Sequence, residues 1–114
     1  MNRFSYGELC EFIRGDIAEF KRDGLDIRQA TSRVQVEYYK SIKESDFEKL
    51  VIFMILCEEG VKGGFLREDI AQQTKQLLDS AELYLFDKEL SENERLRFRN
   101  DIAKTVKLLG DNSI

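Results

Sequence analysis

The segment Phe47 to Cys57, FEKLVIFMILC, sets the tightest limit on what this chain can become. From Leu50 to Cys57 it is apolar on every side, whatever period is assumed. A helix with no polar face must be enclosed by other elements. The run is eight residues long, against the roughly 18–20 that a bilayer requires. The chain should therefore hold one central element, with everything else wrapped around it.

The punctuation of the remaining sequence supplies the wrapping. Ser5-Tyr6-Gly7-Glu8, Ser45-Asp46-Phe47-Glu48 and Ser91-Glu92-Asn93-Glu94 share the S-x-x-E pattern, each ahead of an apolar periodic run. In that pattern the serine oxygen accepts from the backbone N–H three residues on, and the glutamate reaches back to the serine N–H. Asp26, with Gln29 three residues later, marks a fourth start. Helical spacing of apolar residues then predicts helices over about 6–22, 27–43, 46–59, 67–86 and 92–109.

Gly24 and Gly60 are expected as C-terminal stops, Gly63-Gly64 as a flexible joint, and Gly15 as a close approach between helices. The last helix should turn Leu96, Arg99, Ile102, Ala103, Val106 and Leu109 inward, and the tail 111–114 should fray. Val36 and Tyr39 fall off the stripe of the second helix, as rim contacts or a second buried face. No segment alternates with period two. The expectation is an all-α, five-helix bundle forming a single domain over residues 1–114, large enough at that length to bury a core without staples.

Composition excludes several chemistries. There is no histidine, so neither a Ser-His-Asp nor a Cys-His mechanism can operate, and the commonest metal ligand is missing. Cys10 and Cys57 lack C-x-x-C spacing and read as reduced core residues of a cytoplasmic protein. No signal segment opens the chain, and neither an EF-hand loop nor a phosphate loop is present. The balance of 22 acidic against 18 basic side chains, net −4, disfavours nucleic acid, which needs a clustered positive surface. Phe98 between Arg97 and Arg99 could stack a base, but one aromatic is a weak signal. No catalytic, metal or cofactor-binding residues and no membrane contact are expected.

The remaining candidates are polar groups on helix faces and ends, and of Glu58 and Glu59 one should lean toward the core side of its helix. Glu58 and Glu59 follow the apolar run near a helix C-terminus, where the dipole disfavours negative charge. Acidity kept there suits a partner. Asp16 and Glu19 add acid on the first helix, and Tyr39 is the best candidate for an aromatic anchor.

Phe4-Ser5-Tyr6-Gly7-Glu8-Leu9 with Phe12-Ile13 resembles the start of a family of small α-helical immunity proteins of bacterial polymorphic toxin systems, including contact-dependent growth inhibition. The similarity continues through Ala30-Thr31-Ser32-Arg33-Val34 with Glu37-Tyr38, and through Glu48-Lys49-Leu50-Val51-Ile52-Phe53 with Glu58, and is closest to the third family of such proteins. It covers about the first 60 residues. The resemblance implies a protein that binds a cognate toxin C-terminal domain, often a nuclease, in the cytoplasm. Glu37, Glu58 and Glu59 lie at matching positions, and an acidic surface would meet a basic cleft.

Two other readings stay open. One is a helical regulator or adaptor that binds a protein or, less favourably, nucleic acid through its last helix. The other is an enzyme built on Glu58 and Glu59, which ranks last because no base that titrates near neutral pH is visible.

Overall fold

The computed structural model describes residues 5–85 and 90–111. Among them the chain forms seven helices and no strand: α1 (Tyr6–Arg22), α2 (Ile27–Glu37), α3 (Tyr39–Glu44), α4 (Asp46–Lys62), α5 (Glu68–Leu78), α6 (Ala81–Tyr84) and α7 (Glu92–Asp111). The all-α class holds, with seven helices rather than five.

The apolar run forms the middle of α4, where every side chain from Leu50 to Cys57 is buried. α4 packs against every other helix. Its burial is completed by Leu9, Ile13 and Ile17 of α1, Ala30 and Val34 of α2, Ile70 of α5, and Phe98 and Leu109 of α7. Burying a side chain of this kind contributes about 1.5–3 kcal/mol, so the central run dominates the core.

The caps form as their spacing dictates. Ser5 and Glu8 close a reciprocal box at α1, as do Asp26 and Gln29 at α2. Ser91 and Glu94 exchange the same bonds at α7. Ser45 Oγ accepts from Glu48 N–H at α4. Glu94 does more than close its own helix: its second oxygen accepts from Tyr6 N–H at 2.9 Å, so one carboxylate caps both α7 and α1.

Two expected helices are broken. The second stops at Tyr38 (φ −103°, ψ 19°) and restarts as α3. The bend lets the Tyr38 hydroxyl donate to Asp16 of α1 at 2.6 Å. The fourth breaks at Asp79–Ser80, where N–H groups bond three residues back in a tight turn. This turn buries Ala81 and sets the Tyr84 ring 5.4 Å from Phe47. The expected end of that helix at Phe86 lies outside the described residues, as does the tail 112–114.

Gly24 (φ 98°) follows the end of α1 as expected, but Gly60 and Gly15 do not take the roles expected of them. Gly60 does not end α4, which runs on to Lys62. A Cβ at Gly60 would stand 2.7 Å from the Phe65 carbonyl oxygen, so this glycine admits the returning chain. The turn falls at Gly64 (φ 82°), in the left-handed region that favours glycine. Gly15, expected at a close approach, has nothing within 4 Å of a built Cβ. The last helix, expected to end at about residue 109, runs through Gly110 to Asp111.

α7 is rotated from its expected setting. Phe98, Thr105 and Leu109 face the core, while Leu96, Arg99, Ala103 and Val106 are exposed. The reason is aromatic packing. Phe98 fills the space between Tyr6 (5.3 Å between centroids) and Phe47 (5.4 Å), burying far more surface than Leu96 or Val106 could there. A fully buried Phe98 has no face left for a base.

Candidate functional site

Three helices meet at Glu58. Its carboxylate accepts from Arg14 Nη2 of α1 at 2.8 Å and lies 3.0 Å from Lys104 Nζ of α7. Lys62, one turn on, stands 3.6 Å away. Glu58 is only 8% exposed. Burial alone would raise its pKa. The hydrogen bond from Lys104 and the charges of Arg14, Lys104 and Lys62 outweigh burial and hold it below the ordinary carboxylate value. Glu58 is thus an internal tie between α1, α4 and α7, with its charge already answered. Glu59 is half-buried, 3.8 Å from Lys62.

The cleft beside this tie is lined by Tyr6, Cys10, Arg14, Glu58, Asp101 and Lys104 among others. Its volume of about 20 Å³ is room for a water, not for a substrate. Tyr6 donates its hydroxyl proton to Asp101 across the same seam. Burial, above all, pushes the Tyr6 phenol up, with the neighbouring Cys10 and Asp101 adding to it. Cys10 and Cys57 are both buried and unbridged. Burial raises both thiols above their ordinary value, which makes them poor nucleophiles.

The other acids named from sequence lie elsewhere. Arg14 and Asp16 project about 200° apart around α1 at 3.6 residues per turn, so Asp16 faces away from the Glu58 tie. It accepts from Tyr38, whose phenol is pushed up by burial first and then by Asp16 and Glu37. Glu37 is exposed and 3.7 Å from Arg33, which also lies over the Phe20 ring. Glu19, exposed, adjoins Phe20 on α1. The fold therefore gathers Asp16, Glu19 and Glu37 along the α1–α2 seam and leaves Glu58 and Glu59 on another side.

Tyr39 follows the bend and is 60% exposed, beside Val36 at 72%. Together with Ser32, Gln35 and Arg67 they line an open trough of about 670 Å³. Arg67 is fixed there: Nε and Nη2 donate to Asp69, and Nη1 donates to Ser32 Oγ at 3.2 Å. A second hollow shares Arg67 and adds Arg28, Phe65, Glu68 and Asp69. Arg28 lies 4.4 Å over the Phe65 ring. Neither Arg28, Arg67 nor Val36 was marked by sequence as part of a site. The one available signal was a valine three residues before an off-stripe tyrosine, which on a helix places both on one side.

Among the described residues no group of three or more Cys, Asp or Glu side chains is placed to hold a metal ion, and no helix is long and apolar enough to cross a membrane. The arrangement offers a braced acidic-aromatic surface rather than a chemical pocket. A family model described as immunity protein Imm3 matches residues 2–110. No curated protein and no solved structure matches the chain.

Proposed function

The chain belongs to the Imm3 family of immunity proteins, and from that premise we propose that it binds a cognate bacterial toxin domain, a nuclease, in the cytoplasm. It neutralises that domain by covering its active or substrate-binding surface, with no catalysis of its own. The contact surface is the outer side of α1, α2 and α3, where Asp16, Glu19 and Glu37 flank the exposed Tyr39. The observation that carries this reading is the exposed Val36–Tyr39 wall beside a seam of acids. Such a wall supplies a centre that can lose its water, and the acids steer a basic nuclease cleft toward it.

Glu58 and Glu59 enter this account as framework. With its carboxylate held by Arg14 and Lys104, Glu58 fixes α1 against α4 and α7. The surface is then rigid before it meets the toxin, which limits the ordering cost of association.

The test is co-expression with the toxin domain encoded beside this chain. Cells expressing that domain should survive when this protein is present, and the two chains should co-elute as one complex on sizing. Cell death at full expression of this protein, with no complex on sizing, would sink the proposal.

A further inference from the structure

The outer surface of α2 is divided by charge. On the α1 side lie Asp16, Glu19 and Glu37, with Arg33 3.7 Å from Glu37. On the far side, the trough walled by Ser32, Gln35, Val36, Tyr39 and Arg67 has no carboxylate in its lining. Lys43 Nζ stands 5.8 Å from the Tyr39 ring, and Arg28 lies over Phe65 in the adjoining hollow. Glu68 and Asp69 line that hollow, and Asp69 is committed to Arg67. Around the trough and the adjoining hollow, Arg28, Lys43 and Arg67 stand against Glu68 and Asp69, three minus two, an excess of one positive charge in a chain of net −4.

The trough is open to solvent, its most exposed walls are apolar, and its guanidinium is already aimed. Arg67 is held by Asp69 and Ser32, so little rotamer freedom remains to be lost when a partner arrives. A guanidinium edge together with Val36 and Tyr39 matches a segment that carries a carboxylate next to an apolar side chain. An acidic partner group also fits the local excess of positive charge.

On the immunity reading above, we propose that this trough receives an acidic segment of the toxin domain, with an apolar side chain seated between Val36 and Tyr39 and a carboxylate facing Arg67 and Lys43. The toxin then presents two polarities to one face of this protein: basic groups to the Asp16–Glu19–Glu37 seam and an acidic knob to the trough. Opposed charges on either side of an apolar centre fix the orientation of docking and reject domains of the wrong polarity.

The test uses the full chain and the toxin domain encoded beside it, with affinity measured by titration calorimetry. Val36→Asp and Tyr39→Ala should each weaken binding by about 30-fold or more, the range of an interface hot spot. Lys43→Glu should weaken it by about 10-fold through the association rate, with a reduced salt dependence. Because all three side chains are exposed, circular dichroism spectra and melting temperatures should match the parent.

If the parent binds and Val36→Asp and Tyr39→Ala bind within threefold of it, the trough is overturned while the immunity reading stands. If Val36→Asp instead dissolves a dimer of the free protein and leaves toxin affinity unchanged, the occupant is a second copy and the proposal is overturned. If the parent does not bind the domain, both readings fall.

Discussion

Replacing Glu58 by glutamine keeps the shape of the side chain and removes the charge that joins α1, α4 and α7. Arg14 and Lys104 then face an amide at distances set for a carboxylate, 2.8 and 3.0 Å. Breaking a fully buried pair costs about 3–5 kcal/mol, whereas an exposed pair contributes about 0–1 kcal/mol. The carboxylate here is buried, but the Arg14 and Lys104 side chains are 38% and 63% exposed and recover water. The cost therefore falls between those limits, at about 2 kcal/mol. With an unfolding entropy of about 2.1 cal/mol/K per residue, 114 residues give about 0.24 kcal/mol/K, and the melting temperature should fall by about 8 °C at pH 7.

The pH dependence gives an independent check on the same tie. The folded Glu58 pKa lies below its unfolded value, so its contribution is complete above about pH 4.3 and is lost as pH falls through the folded pKa. The gap between parent and Glu58→Gln in thermal melts should be full at pH 7 and close below about pH 4.3. Glu37→Gln, which loses only an exposed pair with Arg33, should cost under about 0.5 kcal/mol at any pH. A Glu58→Gln melt as mild as that of Glu37→Gln, or a gap unchanged into acid, would refute the tie.

Gly15→Ala should raise stability by up to about 1 kcal/mol in urea titrations, since the position is an open helix interior. Gly60→Ala should lower it by about 1–3 kcal/mol, because its Cβ meets the Phe65 backbone rather than a movable side chain. Tyr6→Phe should cost about 1 kcal/mol through the lost bond to Asp101. The Tyr6 phenol is raised on folding, so its contribution holds below about pH 10 and is lost as pH rises further. The variant should therefore lose stability less steeply in base, read by circular dichroism. Cys10 and Cys57 should react with a thiol reagent at pH 7 only after unfolding, since both are buried.

The elements that local chemistry controls were legible in the sequence. Capping is decided within four residues, so the starts at Ser5, Asp26, Ser45 and Ser91 all stood in plain view. The enclosure of α4 followed from the lack of any polar face. What escaped was decided between helices. The bend at Tyr38 is linked to a hydroxyl bond to Asp16, 22 residues away in the chain. The rotation of α7 reflects Phe98 packing on Tyr6 and Phe47, which the apolar spacing of α7 alone does not contain.

The candidate site divided in the same way. Tyr39 could be named because it fell off its helix's stripe, and it is exposed. Of Glu58 and Glu59, one was expected to lean toward the core side of the helix, but the sequence did not say which, and it is Glu58. Its inward setting depends on Arg14 and Lys104, neither close to it in sequence. The trough rests on Arg67, brought from the start of α5 to Ser32 of α2.

Hydrogen exchange of the complex with a cognate toxin domain tests the central claim most directly. Amides of residues 32–39, with those of Asp16 and Glu19, should exchange more slowly in the complex than in the free protein, and those along the exposed flank of α7 at Leu96 and Val106 should not change. Slowing confined to α7, with the α2–α3 bend unaltered, would contradict the account.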